Sequence, residues 1–217
     1  MQRILPSKVN IFQVTNWASD MGKEYTDRNC MPIEDWEQMY VDKFGLTRTE
    51  MNLCFIGDLN RDIKVLEVGC NIGNQLLLLQ KIGFANLYGI ELQSYAVEVA
   101  KQRTEGINII QGNAFDIPFK DGFFDLVYTS GVLIHFMEVD LPLVMNEIYR
   151  CSRKYIWGFE YYNEEFKEII WRGVANMMWK ADYARMYIER FGLKLIKEKR
   201  WDYLNEPNTD SMFLLEK

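Results

Sequence analysis

Histidine is almost absent from this 217-residue chain, which contains His135 alone. The four cysteines, Cys30, Cys54, Cys70 and Cys151, are scattered and form no Cys-x-x-Cys pair. Zinc sites are usually built from closely spaced cysteines and histidines. The sequence therefore predicts no zinc site, and we expect no metal cofactor.

The chain has no excess of basic residues, and the sequence predicts neither a signal peptide nor an apolar run long enough to cross a membrane. It has 25 Lys and Arg against 31 Asp and Glu, which gives a net charge of −6. Nucleic-acid binding relies on clustered basic side chains, so we expect neither a nucleic-acid nor a membrane partner. We expect a cytoplasmic protein with reduced thiols. The sequence does not indicate an oligomeric state.

A strand, a tight turn and the start of a helix are predicted from Val65 onward. An apolar run is followed by Gly69 and Gly73, and then by a Leu-rich segment of helical character from Gln75 to Lys81. In α/β proteins this arrangement brings backbone close to a ligand that contains adenosine.

The spacing of the glycines indicates which ligand. A dinucleotide fingerprint would need glycine at positions 69, 71 and 74, and this chain has Asn71 and Asn74 at two of them. The alternative pattern, acidic-x-Gly-x-Gly-x-Gly, is matched by Glu67, Gly69 and Gly73. Asn71 is its one departure.

Three further segments follow at the intervals that such a fold requires. Glu91 ends a predicted second strand about 20 residues after the glycine turn, where a carboxylate can accept from both ribose hydroxyls. Asn113 follows a short third strand, and its side-chain carbonyl can accept from an adenine amino group. The turn at Asp121-Gly122 leads into a fourth strand.

Taken together, these segments resemble the class I methyltransferases that use S-adenosylmethionine (SAM). The resemblance implies SAM as cofactor and S-adenosylhomocysteine (SAH) as product. It implies cofactor-binding roles for Glu67, Gly69, Cys70, Asn71, Gly73, Glu91, Leu92, Asn113, Ala114, Phe115, Ser130 and Gly131.

The implied fold is α/β and Rossmann-like, with helices on both faces of a seven-stranded, mostly parallel sheet that has one antiparallel edge. We expect one domain covering 1–217. Residues 1–60 would form a helical N-terminal lid, 61–150 the SAM-binding half and 151–217 the acceptor-side half. Within the last, 161–180 would be an insertion over the pocket.

Local signals predict several helices. Apolar residues recur at helical spacing from Ile33 to Phe44, and Thr47 or Thr49 can cap a helix that runs to Gly57. Further helices are predicted from Ser94 to Thr104, after Asp140, and from Ala181 to Phe191 before Gly192.

His135 is the candidate catalytic residue. It follows the fourth strand, whose carboxyl end opens on the predicted cofactor site, and its ordinary pKa would let it take a proton from the acceptor or orient it. The alternative is a packing histidine that bonds a backbone carbonyl. Many methyl transfers need no base, because the sulfonium is already strongly activated.

A second resemblance narrows the acceptor. Trp17, Gly22, Tyr25, Arg28 and Asn29 match the opening of methylases associated with pseudaminic acid biosynthesis, a pathway of bacterial surface sugars. The later segments Gly131 to His135 and Glu160 to Asn163 also resemble that family, as does Arg172-Gly173. The chain departs from it at Ile170-Trp171, where the family tends to have Pro-Tyr.

This resemblance implies further site residues. Trp17, Tyr25 and Arg28 would help to bind SAM, with Tyr25 or Arg28 on its carboxylate. The predicted acceptor-binding residues are Asn29, His135, Glu160, Tyr161, Tyr162 and Arg172. Alternatively, the two later tyrosines only pack and Arg172 pairs with a surface acid.

The predicted function is methyl transfer from SAM to a small-molecule acceptor, a sugar or an amino-sugar-like metabolite, by in-line displacement. Two alternatives stay open. One is the same chemistry on another natural-product metabolite. The other is a SAM-binding protein without catalysis that serves as a regulator.

Overall fold

The computed structural model describes residues 11–171 and 173–217 of the chain. Its first part is helical: α1 (Ile11–Trp17), α2 (Asp20–Asn29), α3 (Ile33–Phe44) and α4 (Arg48–Ile56). The predicted bounds of α3 are confirmed. The cap of α4 is confirmed at Thr47, which forms a reciprocal capping box with Glu50.

Strands and helices then alternate. They are β1 (Lys64–Val68), α5 (Asn74–Lys81), β2 (Asn86–Glu91), α6 (Ser94–Arg103), β3 (Asn108–Gln111), β4 (Phe124–Ser130), α7 (Leu141–Cys151) and β5 (Ser152–Tyr161). A short 3-10 turn, Leu133–His135, follows β4. The last elements are β6 (Lys167–Trp171), β7 (Val174–Lys180), α8 (Tyr183–Phe191), β8 (Lys194–Asp202) and β9 (Thr209–Glu216).

Seven strands form one sheet in the order β3-β2-β1-β4-β5-β9-β8, which confirms the predicted sheet. The first five are parallel, and β9 is antiparallel to both β5 and β8. The sequence predicts an antiparallel strand at the edge of the sheet. This position is wrong, because the antiparallel strand β9 lies inside the sheet and β8 forms the edge. The strand order reverses between β1 and β4, which opens a crevice at their carboxyl ends.

Helices cover both faces of the sheet, and the consecutive buried residues along the central strands explain why. Leu66 and Val127 belong to a core cluster with side chains of α7 and α8. Their neighbours Val65 and Leu126 point the other way, into a cluster with side chains of α3 to α6. Because successive strand residues face opposite sides, two buried neighbours require a layer on each face.

The segment between β5 and α8 is a hairpin. Strands β6 and β7 pair with each other in a separate antiparallel sheet. Met178 and Trp179 of β7 are buried, and β7 packs against the 3-10 turn that carries His135. This hairpin lies within 161–180, and its interpretation as an insertion over the pocket stays a prediction.

The joint between β5 and β9 gives a direct test of packing. Gly158 pairs with Phe213, and a Cβ atom at Gly158 would overlap the Phe213 ring. Gly158→Ala should therefore destabilise the protein by about 1–3 kcal/mol, measured as a lower midpoint in urea unfolding. The double variant Gly158→Ala with Phe213→Leu should recover part of the loss, and an unchanged midpoint in the single variant would contradict this packing.

Candidate functional site

A cavity of about 360 Å³ lies at the carboxyl ends of the central strands. Glu67 of β1, Glu91 of β2, Ser130 of β4 and Tyr161 of β5 all contribute to its wall. The predicted site residues that line it are Trp17, Tyr25, Asn29, Glu67, Gly69, Cys70, Asn71, Glu91, Leu92, Asn113, Ala114, Phe115, Ser130, Gly131, His135 and Tyr161. The cavity therefore brings together residues from both ends of the chain.

The glycine turn between β1 and α5 needs its unusual residues. Gly69 has φ 74°, and a Cβ atom there would lie 2.7 Å from Cγ2 of Val132. Gly73 has φ 81° and caps α5. Asn71, the departure from the glycine pattern, has φ 45°. Asparagine tolerates this left-handed conformation better than most side chains, so the turn survives the substitution.

Glu91 is tied to that turn. Its Oε2 accepts from the Asn71 N–H at 2.9 Å, and its Oε1 accepts from the Gln93 N–H at 2.9 Å. Burial raises the pKa of the carboxyl group, and these backbone N–H groups oppose that rise. Each carboxylate oxygen can still accept a further bond. The carboxylate can therefore hold two neighbouring hydroxyl groups without losing its support.

Asn113 lies in the loop after β3. Its Oδ1 accepts from the Phe115 N–H at 3.0 Å, which fixes the side chain beside the cavity. A carbonyl oxygen has two lone pairs, so one is left for an exocyclic amino group. Ala114 and Phe115 form the adjacent wall, and Phe115 is buried.

Glu67 is a buried carboxyl group in the same wall, 3% exposed. Burial raises its pKa to about 8. Its Oε2 and the Oδ1 of Asn71 have no hydrogen-bond partner among the residues that the structure describes. Buried acceptors of this kind need a donor. The α-ammonium group of SAM is one donor that would suit Glu67, so the residues present fit this cofactor.

One ring nitrogen of His135 has a defined hydrogen-bond partner. Its Nδ1 lies 3.2 Å from the backbone oxygen of Met177 on β7. A carbonyl can only accept, so Nδ1 carries the proton and Nε2 presents a lone pair. Burial lowers the pKa of the ring to about 4, which keeps it neutral at ordinary pH. Both alternatives raised by the sequence thus meet in one residue: the ring bonds a carbonyl and also lines the cavity.

Helices α1 and α2 cover the cavity next to His135. The ring centroid of Trp17 lies 4.4 Å from that of His135 and 5.3 Å from that of Tyr25. The segment is fastened to α6, because Gln93 Nε2 donates to the Ser19 carbonyl at 3.0 Å and the Tyr95 hydroxyl donates to Asp27 at 2.7 Å. Helices α1 and α2 therefore form part of the cavity wall, and the role of 1–60 as a lid stays a prediction.

Four predicted residues do not line the cavity. Glu160 is 1% exposed, outside the cavity wall, and accepts from the Val132 N–H at 3.0 Å, so it supports the loop after β4. Tyr162 packs under the Arg200 guanidinium, 3.5 Å from its ring centroid. Arg28 is exposed beside Tyr25, and Gly73 shapes the turn without lining the cavity. Arg172 lies outside the described residues.

The sequence reading missed a group of residues at the other end of the cavity. They are Tyr40, Lys43, Phe44, Phe159, Tyr203 and Asp210. The helical spacing of apolar residues places Tyr40 and Phe44 on the apolar face of α3, and this pattern does not mark them as site residues. The others carry no spacing signal, because they come from segments far apart in the chain.

Arg48 is fully buried behind this end. Its Nε donates to Asn52 at 3.0 Å, its Nη2 donates to the Ser130 hydroxyl at 3.2 Å, and its guanidinium lies 4.1 Å from the Phe159 ring centroid. It therefore joins α4 to the end of β4 and brings a positive charge close to the cavity.

Comparison with known proteins agrees with this geometry. A family model described as "Methyltransferase domain" matches residues 66–155, which run from β1 into β5. Phosphoethanolamine N-methyltransferase of Plasmodium falciparum is 24% identical over 198 residues, 85% of this chain and 74% of that protein. A sterol 24-C-methyltransferase of Aspergillus fumigatus is 29% identical over 115 residues, 50% of this chain and 30% of that protein.

Among solved structures, magnesium protoporphyrin IX methyltransferase of Synechocystis with bound SAH superposes with a TM-score of 0.71. The identity is 13%, and the match covers 96% of this chain and 100% of that one. The fold is thus the Rossmann-like methyltransferase fold. With the domain match, it supports a class I SAM-dependent methyltransferase.

The described residues also bear on metal binding and on membrane insertion. Within 11–171 and 173–217, no group of three or more His, Cys, Asp or Glu could hold a metal ion. No helix in the same part of the chain is long and apolar enough to span a membrane.

Proposed function

We propose that the protein transfers the methyl group of SAM to a sugar or amino-sugar-like acceptor. The supporting observation is a single cavity with two chemically different ends. One end has the glycine turn, Glu91 and Asn113. The other has aromatic rings with one carboxylate and one ammonium group, and His135 also lines the cavity. The resemblance of the segment around Trp17 and Tyr25 to methylases of a sugar pathway favours the same acceptor class.

When bound, SAM would supply an activated methyl group on its sulfonium sulfur, and its leaving group is the neutral thioether SAH. The chain's own residues then have three tasks. Glu91 and Asn113 hold the ribose and the adenine, while Glu67 accepts from the ammonium group. Helices α1 and α2 exclude water over the reacting atoms. Nε2 of His135 accepts the proton that the acceptor's oxygen or nitrogen loses as its bond to the methyl carbon forms.

A second candidate acceptor is phosphoethanolamine or a similar small amine. It is favoured by the 24% identity to the Plasmodium enzyme over 85% of this chain. Methylation of nitrogen needs less help from a base than methylation of a hydroxyl group, because a neutral amine is itself a good nucleophile.

The test is release of SAH from SAM with three acceptor sets: nucleotide sugars and free sugars, small amines, and phosphoethanolamine. We expect turnover with at least one sugar and binding of SAH by calorimetry. Turnover with phosphoethanolamine alone would move the function to the second candidate. Binding of SAH without turnover in any set would favour a non-catalytic SAM-binding protein.

A further inference from the structure

The end of the cavity away from the glycine turn is built around Asp210. This residue is the second of β9, is 2% exposed and lines the cavity. The Tyr203 hydroxyl lies 3.1 Å from both of its carboxylate oxygens and donates its one proton between them. Each oxygen keeps lone pairs for another donor. We name Asp210, Tyr203, Lys43, Tyr40 and Tyr161 the Asp210 subsite.

The position of the Asp210 subsite follows from the order of the strands. Glu91 is the last residue of β2 and Asp210 is the second residue of β9. The strands from one to the other are β2, β1, β4, β5 and β9. Four strand spacings of about 4.8 Å separate them by roughly 19 Å along the sheet. The cavity spans this distance, so a ligand at Asp210 is distinct from the nucleoside that Glu91 would hold.

Positive charges surround Asp210. Burial raises the pKa of its carboxyl group to about 6, while the charges of Lys43, Arg48 and Lys180 oppose that rise. The ammonium group of Lys43 lies 4.4 Å from the Tyr203 ring centroid and lines the cavity. Lys180 lies 5.8 Å from the Tyr161 ring centroid and donates to Asn208. The ligand therefore meets one carboxylate and one ammonium group directly.

Aromatic rings complete the wall. The Phe44 ring centroid lies 5.0 Å from that of Tyr203 and 5.8 Å from that of Phe159, and Tyr40 lies 6.2 Å from Phe159. Such rings offer flat apolar faces to the C–H groups of a ring-shaped ligand. The hydroxyl groups of Tyr40 and Tyr203 add further polar contacts at the edge of the ligand.

These charges discriminate among acceptors. An ammonium group at Asp210 would face Lys43 as well as the charges of Arg48 and Lys180 behind it. A phosphate at Lys43 would face a buried carboxylate. Like charges brought together in a buried site cost several kcal/mol. A hydroxyl group carries no charge, donates to a carboxylate and accepts from an ammonium group.

We infer that Asp210 and Lys43 bind neighbouring hydroxyl groups of a sugar acceptor and thereby determine its specificity. The inference rests on the proposed function, because it assigns the far end of the same acceptor. According to this inference, the Asp210 subsite binds a polyhydroxylated ring in preference to an amine or a phosphate.

The first test measures binding in the absence of chemistry. The protein saturated with SAH is mixed with UDP-N-acetylglucosamine, N-acetylglucosamine, ethanolamine or phosphoethanolamine, and saturation-transfer NMR reports which probe binds. We expect signals from a sugar probe and a loss of at least tenfold in its affinity in Asp210→Asn, with SAH affinity unchanged. Asp202→Asn, an exposed acid on neighbouring β8, is the matched control and should bind like the parent.

The variants also predict effects of opposite sign. Lys43→Met should weaken the sugar probe, but it should strengthen ethanolamine if the subsite takes amines. Asp210→Asn should weaken the sugar probe, but it should strengthen phosphoethanolamine if the subsite takes phosphates. Three results would overturn the inference. They are tighter binding of ethanolamine by Lys43→Met or of phosphoethanolamine by Asp210→Asn, sugar affinity unchanged by both substitutions, and no sugar binding at all. Thermal unfolding of each variant monitors the fold.

A turnover assay separates this inference from the proposed function. Methyl transfer to a sugar that is equally fast in Asp210→Asn and in the parent overturns the subsite alone. If no SAH forms with any of the acceptors, the proposed function is overturned, whatever the binding experiment gives.

Discussion

Alanine at position 135 is expected to lower turnover by about 100-fold or more, while SAH affinity stays near that of the parent. The Met177 carbonyl fixes the proton on Nδ1 of His135, so Nε2 is the ring atom that can accept a proton. The substitution removes that acceptor and leaves the cofactor end intact. Steady-state release of SAH with the preferred acceptor measures the effect.

His135→Asn is the informative control. An asparagine amide can orient an acceptor but cannot take its proton, so recovery of much of the rate would assign orientation as the role. Because burial lowers the pKa of the ring to about 4, its charge does not change between about pH 6 and 8. The parent should therefore show no inflection near the ordinary histidine pKa. Turnover of His135→Ala at the parental rate would make the residue structural.

Glu91→Ala should weaken SAH binding by about 1–3 kcal/mol, or roughly 5- to 150-fold. The substitution removes the acceptor for two ribose hydroxyls. It also leaves the N–H groups of Asn71 and Gln93 without the carboxylate that they bond. Isothermal titration calorimetry at fixed pH measures the loss.

Glu91→Gln separates the two effects. The glutamine keeps one carbonyl oxygen and the size of the side chain, so the turn should hold while one strong acceptor is lost. We expect an affinity between those of the parent and Glu91→Ala. Unchanged affinity in Glu91→Ala would remove Glu91 from the cofactor site.

The fold was predictable because its signals are local. The capping box at Thr47, the unbroken run of buried residues along β1 and the left-handed Gly192 after α8 each act over a few residues. The place of β9 inside the sheet was not predictable in this way. It depends on which strand β9 pairs with, and the sequence of a short apolar strand does not specify its partner.

The two ends of the cavity differ in how far the sequence predicts them, for the same reason. The cofactor end is formed by short segments after β1, β2 and β3, so the spacing from Glu67 to Asn113 carries its signal. The Asp210 subsite joins Lys43 of α3 to residues about 160 positions later, and no pattern in the chain connects them. Glu160 shows the opposite case, in which the sequence predicts a site residue that the structure does not place in the cavity wall. A carboxyl group beside two tyrosines indicates a ligand contact, but its hydrogen bond is to the backbone.

The β6–β7 hairpin has two roles in one element. Met178 forms part of the cavity wall, and the carbonyl of the preceding Met177 fixes the tautomer of His135. The hairpin also lies beyond the matched methyltransferase segment, 66–155. If the proposed function holds, we therefore expect mutations in this hairpin to change substrate preference and proton handling together, while the donor end stays constant. In the evolution of such enzymes, a new acceptor and a new protonation geometry would arise in a single step.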